Sequence, residues 1–216
     1  MQQQDQREDL LNLPSPPNLP NSPIAINAEK AHEQHLCDLV RSSEGLMAAL
    51  EAIRSLGLHS WCLGAGIIRA LVWDHLHGYH RPSTVPDADV AFFDALAPHE
   101  LDAYLERQLI ALLPGEAWEV VNQAKVHTWY SKAFGQEVAP LVSLADGLAT
   151  WPETATCVGV YLDVEDGLHV IAPHGLSDLF EMRVRHNPRR VSFETFMHRV
   201  QSKRFLERWP RLTIGI

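Results

Sequence analysis

Val85-Pro86-Asp87-Ala88-Asp89-Val90-Ala91-Phe92-Phe93 sets two carboxylates at the entry to an apolar run. Asp87 to Phe93 reads as a strand. Strand side chains alternate faces, so Asp87 and Asp89 project from the same side. Two carboxylates held together repel each other unless a cation lies between them. Hard oxygen ligands suit Mg²⁺ (or Mn²⁺), as metal-assisted phosphoryl transfer requires. On the pair alone, a solvated strand entry with two surface acids is an equal reading, so the flanking sequence decides.

Upstream stands Leu63-Gly64-Ala65-Gly66-Ile67-Ile68-Arg69. His59 to Leu63 reads as a strand, Gly64–Gly66 as a turn and Ile67 to Leu76 as a helix closed by Gly78. Glycines let a backbone approach a phosphate, and the free amides at a helix N-terminus favour an anion. Arg69, about one helical turn past Gly66, can reach the same anion. A tight turn needing glycine for its own sake is the simpler alternative. Downstream, Trp118-Glu119-Val120-Val121-Asn122 is a further strand with one acid inside it. An acid between Trp118 and Val120 is costly to bury unless paired or metal-bound. Glu119 reads as a third metal ligand, as a base for an attacking hydroxyl, or as an edge-strand residue facing water. Asn122 and Lys125 come after it, placed to fix a base or sugar and to neutralise a triphosphate, or simply to start a solvated helix.

The rest of the chain is organised around these pieces. Residues 1–27 are Gln- and Pro-rich, with five prolines in residues 11–23, and read as a disordered or polyproline-like tail. Residues 28–140 read as the core. Helical spacing runs through residues 29–56 with a break near Ser42–Ser43, and Pro98 to Leu113 is an amphipathic helix. Residues 141–216 read as a C-terminal annex. It holds a short helix at Ser143–Thr150, a hairpin around Glu165-Asp166-Gly167, a short helix at Gly175–Phe180, one final helix over Phe193–Arg208 and a closing strand at Leu212–Ile216. The fold class is α/β (α+β), a small mixed sheet flanked by helices.

The chain has 216 residues, 46% of them apolar, and a net charge of −9. That balance supports a sizeable core and argues against general nucleic-acid binding, which needs a positive field to displace counterions. A small nucleotide stays compatible, because a divalent metal brings its own charge. Cys37, Cys62 and Cys157 are too dispersed for a disulfide frame. With no leader pattern and no membrane-length apolar run, the expected location is cytoplasmic. His77 and His80 suggest a zinc site only superficially, since Gly78 ends the helix between them.

The order strand, Gly turn, helix, Asp-x-Asp strand and third acidic strand resembles the polymerase-β-like nucleotidyltransferase superfamily. Arg69 resembles the Gly-x-x-Arg element of tRNA nucleotidyltransferases and poly(A) polymerases, although Ala70 stands where those enzymes usually carry an aspartate. Trp61–Gly66, Val72–Tyr79, Asp87–Val90, Trp118–Ala124, Thr150–Thr156, Gly175–Phe180, Asn187–Arg190 and Lys203–Pro210 are similar to bacterial nucleotidyltransferase-family proteins. The resemblance implies a nucleotidyltransferase fold and Mg²⁺-dependent transfer of a nucleoside monophosphate from an NTP to an acceptor. Asp87, Asp89 and Glu119 would be the catalytic and metal residues; Gly64, Ala65, Gly66, Arg69, Asn122 and Lys125 would bind nucleotide. The alternative is a non-catalytic nucleotide-binding or regulatory protein on the same fold.

Overall fold

The computed structural model describes residues 23–215. Residues 1–22 of the expected tail lie outside that range, and Pro23–Asn27 already belongs to a helix, so helical structure starts earlier than the composition implies. Helices α1 (Pro23–Ser42) and α2 (Glu44–Ser55) are separated by Ser43. Its backbone is extended and its hydroxyl accepts the amide of Leu46, capping α2 at the expected break.

Strand β1 (Trp61–Gly64) feeds α3 (Gly66–His77), followed by β2 (Ala88–Phe92), α4 (Leu101–Leu112), β3 (Trp118–Asn122) and α5 (Val126–Phe134). The chain continues through α6 (Leu144–Leu148), the hairpin β4 (Gly159–Leu162) and β5 (Leu168–Ile171), α7 (Ser177–Phe180) and β6 (Arg183–Arg185). It ends with α8 (Phe193–Ser202), α9 (Phe205–Arg208) and β7 (Thr213–Gly215). The closing strand β7 pairs in parallel with β6, away from the main sheet.

The main sheet is mixed, in the order β3-β2-β1-β4-β5. Strands β2 and β3 are parallel; the other neighbours are antiparallel. The hairpin expected in the annex therefore completes the central sheet beside β1. Strand register sets the neighbours of the acidic pair: Asp89 pairs with Gly64 on one side and with Glu119 on the other.

Two smaller hydrophobic clusters sit around Leu148 and Tyr130, and the main one draws on residues from Leu36 to Leu212. Trp73, Phe205 and Trp209 sit at its centre, fully buried, with Trp73 and Trp209 ring centroids 5.2 Å apart. Each such side chain contributes roughly 1.5–3 kcal/mol by leaving water. The final helix is not continuous as expected, because Arg204 takes a left-handed backbone at φ 53 and separates α8 from α9. In an unbroken helix Phe205 would point about 140° away from Val200. The break returns Phe205 and Trp209 to the core that Phe196 and Val200 already face.

Candidate active site

Parallel pairing of β2 with β3 sets Asp89 beside Glu119, and Asp87 lies two residues earlier on the same face. One ligand oxygen from each of the three carboxylates lies within 4.8 Å of the other two. Among the described residues no other group of three His, Cys, Asp or Glu side chains is gathered this way. Burial, then the charges of Asp87 and Glu119, push the Asp89 carboxyl up to about 7. The Gly66 amide, which donates to it, and the Lys203 cation oppose that rise. Glu119 is raised too, by burial first and then by Asp87 and Glu106.

The turn between β1 and α3 is shaped by close packing. A Cβ on Gly64 would meet the Val158 carbonyl oxygen at 2.7 Å and the Trp151 ring at 3.0 Å, so β4 and Trp151 can approach only a glycine. Ala65 has φ 52, which for a non-glycine residue costs on the order of 1–3 kcal/mol. That conformation lets its amide donate to the Val158 carbonyl at 3.0 Å while the Gly66 amide turns to Asp89. Both turn amides thus bond within the protein. Gly66 has no neighbour within 3.8 Å of a built Cβ, and the nearest atoms are the Arg69 guanidinium and an Asp89 oxygen.

Arg69 is 4% exposed, and its Nε has no hydrogen-bond partner among the described residues. Its guanidinium lies over Phe205 at 4.6 Å and near Trp73 at 5.4 Å. Burial lowers its pKa to about 10, with the charges of Glu153 and Asp89 opposing.

Asn122 is not brought to this site. It stands three residues from Glu119 and so on the other face of β3, where its amide donates to the Asp94 carbonyl and its oxygen accepts the Asp94 and Ala124 amides. Nor is Lys125, whose ammonium donates to the Ala95 carbonyl at 2.7 Å. The histidine reading closes as well: His77 uses one ring nitrogen on the Trp73 carbonyl and the other on the Arg211 amide.

A cleft of about 280 Å³ opens beside the carboxylates, lined by Asp89, Glu119, Gln123, Trp151, Arg190 and Arg199 among others. Arg199, and Glu153 behind it, escape a sequence reading. Glu153, wholly buried, holds Arg199 at 2.9 Å and accepts the Thr156 hydroxyl at 3.0 Å. Lys203, four residues past Arg199 on the same face of the helix end, has its pKa lowered by burial and by Arg199 and Arg69, with Asp87 and Glu153 opposing. The i, i+4 spacing of Arg199 and Lys203 is visible in the sequence, but nothing local says that this face turns toward β2.

Three convergent carboxylates, with Arg69, Arg199 and Lys203 near them, define the candidate site. The family model described as Nucleotidyltransferase matches residues 51–214, and the chain belongs to that family. It is similar to a solution structure described as revealing a CCA-adding enzyme head domain. The identity is 30%, the TM-score 0.69, and the match covers 85% of this chain and 95% of that one. A tRNA-processing enzyme in an apo form is 17% identical with a TM-score of 0.49, over 80% of this chain and 44% of that one. No curated protein matches the chain. Among the described residues no helix is long and apolar enough to cross a membrane.

Proposed function

We propose that this protein transfers a nucleoside monophosphate from an NTP to an acceptor with the help of Mg²⁺ or Mn²⁺. The observation that carries the reading is the convergence of Asp87, Asp89 and Glu119 within 4.8 Å. The donor set fits the ion: it is all oxygen, without histidine or cysteine, and its mutual repulsion favours a divalent cation. When bound, such a cation neutralises charge on the phosphate oxygens and lowers the barrier to displacement. Asp87 and Asp89 would hold it, with Glu119 completing the set.

The chain's own residues do the rest by positioning and charge. Arg69, Arg199 and Lys203 offer positive charge to the triphosphate on the α3 side of the carboxylates. The buried Glu153 fixes Arg199 in its rotamer. Glu119, the most exposed of the three acids, would take the proton from an acceptor hydroxyl.

One observation favours the non-catalytic reading, namely that the amides of Ala65 and Gly66 are already bonded within the protein. Incubation with each of the four NTPs and Mg²⁺ or Mn²⁺, with product analysis by mass spectrometry, separates the two. Turnover that disappears in Asp87→Asn and Asp89→Asn establishes transfer. NTP binding without turnover in the wild-type protein establishes a binding module instead.

A further inference from the structure

The two ends of the cleft differ in chemistry. One end is walled by Asp89, with Gly66 and Arg69 behind it and Trp151 against Gly64; toward α5 the walls are aromatic, with Trp129, Tyr130 and Phe134 from the helix. Arg190 lies at this second end, its guanidinium carbon 5.0 Å from the Tyr130 ring centroid. Arg190 forms no ion pair or hydrogen bond among the described residues, whereas the adjacent Arg189 is paired with Asp146 at 2.9 Å. A half-buried cation that touches a ring and feels Asp146 only through space keeps its N–H donors free for an anion. Trp129 is 39% exposed beside it, an aromatic face open to a second ring.

The order of groups along the cleft assigns this end a role, on the reading that the site performs nucleotidyl transfer. The acceptor oxygen bonds the α-phosphorus as the bond from that phosphorus to the bridging oxygen breaks. Pyrophosphate leaves with the electron pair, and the acceptor proton passes to Glu119. Attacking and leaving oxygens lie on opposite sides of the phosphorus. With pyrophosphate on the Gly66 and Arg69 side, the acceptor arrives over Glu119, past Val121 and Gln123, from α5.

We propose that the α5 end of the cleft is the acceptor subsite and that it takes a small planar aromatic acceptor bearing an anionic group, of the nucleoside monophosphate class. The ring would lie on Trp129, and the anion would meet Arg190. The cleft, about 280 Å³, suits one such unit. A net charge of −9 disfavours a polymeric nucleic acid, whose binding draws on a positive field.

The test is a titration of the full chain with AMP, adenosine and inorganic phosphate in chelator, without NTP, followed by the indole N–H resonances and tryptophan fluorescence. AMP should shift the Trp129 signal and bind about tenfold more tightly than adenosine, the worth of one charged hydrogen bond. Arg190→Gln should remove that difference, and Trp129→Leu should weaken both ligands with the circular dichroism unchanged. Equal binding of AMP and adenosine, or variants without effect, overturns the proposal. So does displacement of AMP by a non-hydrolysable NTP analogue with Mg²⁺, which would make this end the donor's base pocket. Tighter binding of a single-stranded RNA oligomer than of AMP overturns it in favour of a nucleic-acid acceptor. No divalent ion or NTP is present in the AMP titration, so a protein that binds AMP here but transfers nothing would refute the transfer reading alone.

Discussion

Asp89 carries the tension of the site in a single side chain. Its carboxyl is pushed up to about 7 from an ordinary 3.8, by burial first and by Asp87 and Glu119 next. A raised carboxyl pKa means that the folded protein holds a proton which the unfolded chain releases. Stability of the metal-free protein should therefore fall as pH rises from about 4 to about 7, and stay low above that. Asp89→Asn should stabilise the metal-free protein at pH 8 by about 1–3 kcal/mol and have little effect at pH 4, read by denaturant titration at both values. The same substitution should lower transfer by at least about 100-fold, beyond what loss of an outer partner of a metal ligand usually costs. Because a cation needs the ionised carboxylate, Mn²⁺ affinity should rise as pH passes through about 7 and binding should release a proton. Calorimetry in two buffers of different ionisation enthalpy measures that proton.

At the scale of the elements, the two glycines of the β1–α3 turn differ in what they do. Gly64→Ala places a methyl 2.7 Å from the Val158 carbonyl and should cost about 1–3 kcal/mol through overpacking. Gly66→Ala meets nothing closer than 3.8 Å and should leave stability within about 1 kcal/mol, a contrast that thermal melts of the two variants resolve. This turn, its flanking strand and helix, and the Asp-x-Asp strand are legible in the sequence because local period and punctuation encode them. The reason that Gly64 is a glycine is not legible there, since Trp151 and Val158 lie some ninety residues on and reach it only through the pairing of β1 with β4. Asn122 shows the same limit in reverse. Its proximity to Glu119 in the chain suggests a ligand contact, but an odd spacing on a strand sends it to the other face, where backbone groups occupy it. Arg199 escapes a sequence reading because its partner Glu153 sits in an unrelated turn. Arg199→Ala leaves that buried carboxylate without its cation, and urea titration should show a loss of about 3 kcal/mol, with Arg199→Lys recovering part of it.

Over the whole molecule, the C-terminal elements are tied into the first half of the chain. Hairpin β4–β5 is hydrogen-bonded to β1, and the core cluster includes residues from α1 through Leu212. Trp209 adds a specific tie: its indole N–H donates to Asp74 at 2.7 Å, and Asp74 also accepts the amide and hydroxyl of Ser83. Arg69 lies 5.9 Å from the Trp209 ring centroid, so the residue that anchors the C-terminus also packs one of the cations beside Asp89. A chain joined in this way cannot lose its C-terminal elements while β1 and α3 keep their packing. Denaturant unfolding followed by far-ultraviolet circular dichroism and by tryptophan fluorescence should give one coincident transition. Trp209→Phe removes the bond to Asp74 and part of the ring volume, which should shift that transition by about 1–3 kcal/mol without splitting it. Two separated transitions, or a Trp209→Phe variant that melts only its fluorescence signal, would mean that residues 141–216 fold as a unit apart, and that the cations of α8 reach the carboxylates only when that unit docks.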